Sequence, residues 1–482
     1  MAGTTVATRP ARLRSVDWQR VATFAAVFVA AALAARSGLA VGGASKSAVV
    51  LPLAAGVGIA LGLLALTRFQ AYVMTMLVLR SSLDLAKISG RTAGNTSVSG
   101  SSRALDPSSV LAVLFLLAAA LWLAAQYRAQ GRLPGSTLRR TLVLFFLAGL
   151  ISVAGSGNAT QSSLECLRIC SVVVMFVVLE QMMLDPRKMK QILTAAFLSA
   201  AFPLLYTTYG FLTGHPRSET KGSFTRIVGT FNQSNDYGRY LMLIIIMAAA
   251  VYPHLSRRLR LVVAAGMVPA AAYLFLTYTR SALVATAVGL LVVGFFQSKR
   301  IIVGLFVAGL AGLMIVPSLS GRFSDLTKYQ AKQVTSSTNS GNTLAWRLSY
   351  WTEVLPLANH NPVTGIGLNM TQYNTAQAKQ PHNDFIRAYV ETGIIGFIAY
   401  CAMMIALIQL GRRAVRAVPQ RSLDRGVAIG FLACALAFMA VSLVANVISN
   451  VVNLWYFFAF AAAASAVLRR HSAVSPALGA DV

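Results

Sequence analysis

Acidic residues are scarce in this chain, and charged residues of either sign are few. The 482 residues include 14 Asp and Glu against 42 Lys and Arg, and charged residues make up 12% of the total. Soluble domains average about 25% charged residues, so the composition excludes a soluble globular protein. A Mg²⁺ or Mn²⁺ site usually combines carboxylates with substrate phosphates, and the acids of the polar loops are never adjacent. The sequence therefore predicts neither a metal site nor a cofactor.

Cysteine is also rare. All of the cysteines lie within apolar segments, where we expect them to be small buried side chains (Cys166, Cys170, Cys401 and Cys434). The histidines of the polar loops lack the spacing of zinc ligands. Neither a disulfide framework nor a zinc site is expected.

Apolar sequence is abundant and makes up 56% of the chain. A membrane-spanning helix needs about 20 mostly apolar residues, and a series of segments approaches that length. The sequence therefore predicts an all-α polytopic membrane protein with about 12–14 transmembrane helices. The segments lie at 21–38, 48–67, 69–86, 107–127, 139–154, 163–184, 190–213, 237–253, 259–278, 281–298, 301–317, 384–410, 425–447 and 451–468.

Basic residues are grouped between alternate apolar segments. If the N-terminus is cytoplasmic, more than half of the 42 lysines and arginines fall in cytoplasmic loops and tails, as the positive-inside rule requires. Nucleic-acid binding, which the net charge of +28 would permit, needs a basic soluble face instead. We expect both termini on the cytoplasmic side of the cytoplasmic (inner) membrane, an uncleaved N-terminal anchor, and outer-face segments at 214–236 and 318–383.

One of these outer segments is too long to be a simple connection. We expect a single integral membrane domain over residues 1–482, with a disordered tail at 471–482. Within it, the large extracytoplasmic loop 318–383 has a length that is usually functional or disordered. Apolar residues recur there at near-helical spacing and predict an amphipathic helix across 343–359 (Trp346, Trp351, Leu355 and Leu357).

Arginines stand at the outer edges of several apolar segments. They are Arg226, Arg239, Arg280, Arg347 and Arg387. An arginine in a membrane segment costs roughly 2.5–3.5 kcal/mol on insertion scales and is a candidate for function. The alternatives are snorkelling to lipid headgroups or pairing with a structural carboxylate. Because acids are few, binding of phosphate oxygens would depend on arginine, whose planar fork suits them.

The sequence Lys379-Gln-Pro-His-Asn-Asp-Phe385 places a titratable imidazole at the end of the long polar loop. An ordinary imidazole titrates near pH 6.5 and needs little adjustment to accept a hydroxyl proton, so His382 is a candidate general base. In the alternative interpretation, Asn383 or Asp384 caps the following helix and His382 packs beside it. Glu391 either orients a partner or pairs with Arg387 at i,i+4.

The order and spacing of these motifs resemble the O-antigen ligase and polymerase family over roughly residues 226–410. The motifs are Arg226 with Gly229-Thr-Phe-Asn232 and Asn235, Thr279-Arg280-Ser281, Arg347 with Trp351 and Pro356, Gly365-Ile-Gly367, and His382-Asn383 with Glu391-Thr-Gly393 and Gly396. The resemblance implies a fold similar to the all-helical GT-C-type membrane glycosyltransferases, with a large periplasmic loop.

The resemblance also implies an activity. Glycan would pass from undecaprenyl diphosphate to an acceptor hydroxyl, on lipid A–core or another surface acceptor, without a metal or nucleotide sugar and with inversion. His382 would activate the hydroxyl, while Arg226, Arg280 and Arg347 would hold the diphosphate. Supporting positions would be Asn232, Asn383, Arg387 and Glu391.

Two alternatives stay open at this point. A polymerase of O-antigen, capsule or exopolysaccharide uses the same donor with a second carrier-linked repeat as the acceptor. A transporter of lipid-linked glycan would concentrate charge near the bilayer midplane, whereas the arginines of this sequence lie at the outer rim.

Overall fold

The computed structural model describes residues 46–86, 107–221, 224–305, 307 and 343–474. The prediction of an all-helical protein is confirmed. The helices are α1 (Lys46–Thr67), α2 (Phe69–Arg80), α3 (Pro107–Gln130), α4 (Thr137–Ser152), α5 (Ala159–Met182), α6 (Pro186–Leu198), α7 (Ala201–Leu212), α8 (Ser234–Val251), α9 (Arg257–Leu276), α10 (Arg280–Gln297), α11 (Thr343–Val354), α12 (Asp384–Ala417), α13 (Leu423–Ser442) and α14 (Val451–Val474).

Short elements lie between these helices. Two strands, β1 (Ser218–Lys221) and β2 (Phe224–Ile227), form an antiparallel hairpin in the segment that we predicted to be an outer loop. The sequence analysis did not predict this hairpin. Single 3₁₀ turns lie at Leu83–Ala86, Val153–Gly155, Tyr252–His254, Leu355–Asn359 and Thr371–Tyr373.

Nine helical spans in the described part of the chain are long and apolar enough to cross a membrane. The protein is therefore a multi-pass membrane protein. The predicted total of about 12–14 includes the segment 21–38 and most of 301–317, which lie outside the described residues. The nine spans are Ala112–Gln130, Thr137–Gly155, Ala159–Met182, Pro186–Leu212, Arg257–Leu276, Arg280–Gln297, Asp384–Ala417, Leu423–Ser442 and Val451–Ser472.

The chain divides into two units, Met1–Val73 and Met74–Val482. In the second unit, α13 and α14 are the most deeply buried of the apolar helices, whereas α3 and α9 have few fully buried residues. Helix α12 packs against α4, α13 and α14, and α10 packs against α8 and α13. The central position of α12 determines where the predicted base lies, because His382 comes two residues before the helix begins.

Helix α12 is broken at Gly393, whose φ of 64° and ψ of −168° are not helical. The break frees backbone groups that the helix would otherwise pair, and the segment 362–367 binds them. The bonds run from Ile366 N to Val390 O (3.1 Å), from Gly367 N to Glu391 O (3.0 Å) and from Ile394 N to Pro362 O (2.9 Å). Gly365-Ile-Gly367, one of the motifs of the resemblance, therefore packs directly against the interrupted helix.

Three boundaries differ from the prediction for identifiable reasons. The helix predicted across 343–359 is present as α11, but its α-helical part stops before Pro356, whose ring cannot continue it. The segment 190–213 forms two helices, α6 and α7, instead of one. Helix α14 continues to Val474, so the first four residues of the predicted disordered tail are helical.

Replacement Gly393→Ala should destabilise the protein more than Gly266→Ala. A Cβ at Gly393 would lie 2.2 Å from Val363 O, at a φ that side chains rarely adopt, whereas nothing lies within 4 Å of a Cβ at Gly266. The backbone strain alone costs about 1–3 kcal/mol. Thermal unfolding of the purified variants in detergent measures the difference. Equal unfolding temperatures would show that the break in α12 is not under this constraint.

Candidate functional site

The three arginines predicted to bind the diphosphate come from three different elements. Arg226 lies on β2 opposite Glu219 of β1, Arg280 is the first residue of α10, and Arg347 lies on α11. All three side chains are partly buried. Arg280 is within electrostatic range of both Arg226 and Arg347, so the structure brings the three predicted positions together.

Burial and mutual repulsion act on these guanidinium groups. Burial lowers the pKa of Arg226; Glu219 opposes that shift and Arg280 adds to it. Burial, and then the charges of Arg280 and Arg239, lower the pKa of Arg347 to about 10. The Nε atoms of Arg226 and Arg347 are buried and have no hydrogen-bond partner within the described ranges. Both groups stay charged at neutral pH in a setting that favours an anion.

Arg239 on α8 extends the cluster of arginines. Its Nη1 lies 3.5 Å from Oδ1 of Asp236 and 3.4 Å from the backbone oxygen of Asn446. The carboxylate of Glu219 accepts hydrogen bonds from Ser234 N (3.0 Å) and Ser234 Oγ (2.5 Å), at the start of the same helix. The cluster of Arg226, Arg239, Arg280 and Arg347 therefore has more positive than negative groups around it.

His382 is held in a strained backbone conformation just before α12. Its φ of 53° lies in the left-handed region, which costs a non-glycine residue about 1–3 kcal/mol and is common at functional sites. Trp351 Nε1 donates to the oxygen of the preceding residue, Pro381, at 2.7 Å. On the other side, Asn383 Oδ1 accepts from Phe385 N at 2.9 Å and begins the helix. These contacts fix the chain on both sides of His382.

The imidazole of His382 contacts two residues, and each of them lies next to, or binds, an arginine of the cluster. Its ring lies 5.7 Å from the ring of Trp346, which immediately precedes Arg347 on α11. Its Nδ1 lies 3.3 Å from Nδ2 of Asn446, whose backbone oxygen binds Arg239. The structure thus connects the predicted base to the arginine cluster by two short paths.

This arrangement suits a chemical step on an anionic substrate. The arginines can bind phosphate oxygens through charge-assisted hydrogen bonds, and the imidazole can accept a proton nearby. No group of three or more His, Cys, Asp or Glu side chains is placed to hold a metal ion among the residues that the structure describes.

A comparison with known families identifies the chemistry. The family model described as O-antigen ligase matches residues 265–401. The chain carries an O-antigen ligase domain. This domain implies a membrane glycosyltransferase of the O-antigen ligase and polymerase type, a family whose substrates are lipid-linked glycans. No match to the chain was found among curated proteins.

The O-antigen ligase domain contains part of the candidate site. Arg280, Arg347 and His382 lie within the matched residues, whereas Arg226 and Asn446 lie outside them. The family and the enzyme class predicted from the ordered motifs are confirmed. The roles of the individual residues remain predictions.

Arg387 and Glu391, predicted as supporting residues, belong to a buried ion-pair network. Each side chain is 1% exposed; Arg387 Nε donates to Glu391 Oε2 at 2.9 Å and its Nη2 donates to Glu165 Oε1 at 3.3 Å. Glu391 also accepts from Asn369 N at 2.7 Å and Thr371 Oγ1 at 2.9 Å. The network fastens the segment 365–371 to α12 and α5, so the i,i+4 pair is present and its effect is structural.

The other two supporting predictions have different outcomes. Asn383 is the N-cap of α12, because its side chain accepts from the backbone N–H groups of Phe385 and Ile386. Asn232 lies in the turn between β2 and α8, and its side chain is exposed. Its predicted supporting role stays a prediction.

Two further residues, Asp384 and Asn446, belong to the site although the sequence analysis did not name them as site residues. Asp384 accepts from Val447 N at 3.0 Å and so holds the connection between α13 and α14. Asn446 lies in that connection, although the sequence analysis placed it in the apolar segment 425–447. An asparagine in an otherwise apolar run was the available indication, and it could not show which element the side chain would face.

Replacement Arg387→Ala should destabilise the O-antigen ligase domain far more than Arg168→Ala. Both arginines contact Glu165, but Arg387 is 1% exposed and Arg168 is 53% exposed. Removing Arg387 leaves the buried carboxylate of Glu391 without its cation and leaves Glu165 with the exposed Arg168. Loss of a buried cation costs about 3–5 kcal/mol, whereas an exposed pair contributes about 0–1 kcal/mol. Chemical or thermal unfolding in detergent compares the two. Similar stabilities would contradict the structural role of Arg387.

Proposed function

We propose that the protein transfers a glycan from undecaprenyl diphosphate to an acceptor hydroxyl at the outer face of the cytoplasmic membrane. The acceptor is lipid A–core or another surface molecule. The observation that carries the proposal is the joining of the arginine cluster to His382 through Trp346 and Asn446. Both termini are cytoplasmic in this proposal, which the positive-inside pattern supports.

The arginine cluster holds the donor by its diphosphate. Arg226, Arg280 and Arg347 come from separate elements, so they can surround an anion instead of binding it from one side. As the bond between the anomeric carbon and the phosphate oxygen breaks, negative charge grows on the leaving diphosphate. Positive groups already in place stabilise that charge most strongly in the transition state. In this mechanism guanidinium groups do the work for which other enzymes use a metal ion.

His382 acts on the acceptor. Its imidazole takes the proton of the acceptor hydroxyl while the hydroxyl oxygen forms a bond to the anomeric carbon. The electron pair of the broken bond leaves with the diphosphate. Attack opposite the leaving group inverts the anomeric centre, so base and arginines are needed on opposite sides of the sugar. The ion pair between Arg387 and Glu391 supports this geometry, because it stabilises the first turns of α12.

Replacement His382→Gln should abolish most transfer while leaving the protein folded. A general base contributes about 10²–10⁴-fold to a rate. The assay combines purified protein with carrier-linked glycan and either lipid A–core or a second carrier-linked repeat.

The size of the product separates the two types of acceptor. A single addition to core indicates a ligase, and a ladder of repeats indicates a polymerase. Full transfer by His382→Gln would remove this residue from the mechanism. Movement of glycan across the membrane without joining would instead indicate a transporter.

Replacement Arg347→Ala should weaken both catalysis and binding of the leaving group. Loss of one preorganised charged group at a developing anion costs about 10²–10³-fold in kcat. Inorganic pyrophosphate should inhibit the wild-type protein and should inhibit Arg347→Ala less. Since the pKa of Arg347 is lowered to about 10, inhibition should persist at pH 8 and decline as the pH approaches that value. Arg412→Ala, at an exposed position of α12, is the control; equal inhibition of all three proteins would contradict the proposed site.

A further inference from the structure

The connection between α13 and α14 places one amide side chain against the imidazole of His382. Nδ2 of Asn446 lies 3.3 Å from Nδ1 of His382. Asn446 lies outside the O-antigen ligase match and more than sixty positions along the chain from His382. The contact is therefore made by the fold and not by local sequence.

The backbone around Asn446 is fixed from two directions. The carboxylate of Asp384 accepts from Val447 N at 3.0 Å and from Ile448 N at 3.4 Å. Arg239 Nη1 donates to the backbone oxygen of Asn446 at 3.4 Å. Because Asp384 is the second residue after His382, the same short segment carries the imidazole and anchors the loop that faces it. The backbone that carries the amide side chain is therefore fixed opposite His382.

The contact at Nδ1 decides which ring nitrogen is available to an acceptor hydroxyl. Asn446 occupies Nδ1, so the proton of the hydroxyl must go to Nε2. In a neutral imidazole one nitrogen carries hydrogen and the other a lone pair. A base that works through Nε2 must therefore carry its hydrogen on Nδ1, and Nδ1–H needs an acceptor.

The two orientations of the asparagine amide have opposite consequences for His382. With Nδ2 towards the ring, the amide donates to Nδ1 and the hydrogen of the neutral imidazole is moved to Nε2. Rotation of the amide by 180°, which preserves its shape, brings Oδ1 to the ring instead. Oδ1 is buried and has no hydrogen-bond partner within the described ranges, so Nδ1–H would satisfy an otherwise unpaired acceptor.

We propose that Asn446 is a positioning residue whose side-chain oxygen accepts Nδ1–H of His382 and leaves Nε2 as the atom that takes the acceptor proton. The proposal rests on the proposed function, in which His382 is the base. During transfer the hydroxyl proton moves to Nε2, the hydroxyl oxygen bonds to the anomeric carbon, and the diphosphate leaves with the electron pair. The resulting imidazolium keeps its Nδ1–H bond to Asn446.

Several charged groups surround this pair and act on its pH dependence. Asp384 follows on the same segment, Arg239 approaches from α8, and Arg347 approaches from α11. Lys379 lies over the ring of Trp346, which contacts the imidazole. None of these side chains is altered by a substitution at Asn446, because the loop is held through its backbone.

Nitrogen NMR of the full-length protein with ¹⁵N-labelled histidine tests the proposed tautomer directly. His382→Gln identifies the signal of His382 among the 5 histidines. We expect neutral His382 to carry its hydrogen on Nδ1 in the wild-type protein. In Asn446→Ala this preference should be lost, and in Asn446→Asp, which keeps an acceptor oxygen, it should return. A wild-type imidazole with its hydrogen on Nε2 would overturn the proposal.

Transfer kinetics supply the second readout. Asn446→Ala should lower kcat by about 10–100-fold, the range seen when the partner that orients a metal-bound histidine is removed. KM for the carrier-linked donor should stay unchanged, because the arginines are intact. Asn446→Asp should recover kcat and move the acidic limb of its pH profile upward by about 1–2 pH units, since a carboxylate stabilises the imidazolium.

A control in the same loop separates positioning from folding. Asn450 Oδ1 accepts from Asn453 N at 3.2 Å near the start of α14, so Asn450→Ala weakens the loop without touching His382. It should leave kcat and the pH profile as in the wild type. Loss of kcat in Asn450→Ala equal to that in Asn446→Ala would overturn the positioning role. Full transfer by His382→Gln would instead remove the proposed function, while the tautomer measurement would still report the Asn446 contact.

Discussion

Repulsion between like charges is the constraint on which the rest of the candidate site depends. Arg280 lies within electrostatic range of Arg226 and Arg347, and Arg347 within range of Arg239. Without the fold such groups would separate. Each is carried by a different element: Arg226 by the β1–β2 hairpin, Arg280 by the start of α10, Arg347 by α11 and Arg239 by α8. Packing of those elements holds the arginines in place. An anion bound between them would relieve the repulsion, so an arrangement that costs stability favours an anionic ligand such as the proposed diphosphate.

The position of the imidazole follows from a second set of contacts that the charge cluster does not supply. Helix α12 breaks at Gly393, and the segment 362–367 binds the freed backbone groups. Glu391, just before the break, accepts a hydrogen bond from Asn369 N. The strained residue His382 lies just before the start of the same helix. Trp351 of α11 donates to the backbone oxygen of Pro381. The predicted base, His382, and Arg347 are therefore both held by α11. The proposed transfer would depend on this rigidity, because reacting groups must be held in a defined geometry.

The sequence could predict the membrane helices because their lengths and apolar composition are set by the bilayer. It could also predict the candidate positions Arg226, Arg280, Arg347 and His382. The arginines stand at the outer edges of apolar segments, the histidine ends the long polar loop, and the order of their motifs resembles the O-antigen ligase family. It could not predict the β1–β2 hairpin, whose four-residue strands are too short for a periodic pattern. Nor could it predict that Asn446 faces His382. That contact depends on how α13 and α14 pack beside α12, which no local pattern records.

The scarcity of acids has a spatial consequence that connects fold and chemistry. The buried carboxylates form ion pairs with arginines that connect helices. Glu165 and Glu391 pair with Arg387, and Glu180 pairs with Arg139 and Arg469. Asp424 likewise contacts Arg470. Near the candidate site, Glu219 is engaged by Ser234 and Asp384 by backbone amides, so neither carboxylate is directed wholly at the arginine cluster. Acids thus neutralise the structural cations, while the cations proposed to meet substrate keep a net positive field. Additional acids near α11 would reduce the repulsion between the arginines, and they would weaken the attraction of the cluster for an anion to the same extent.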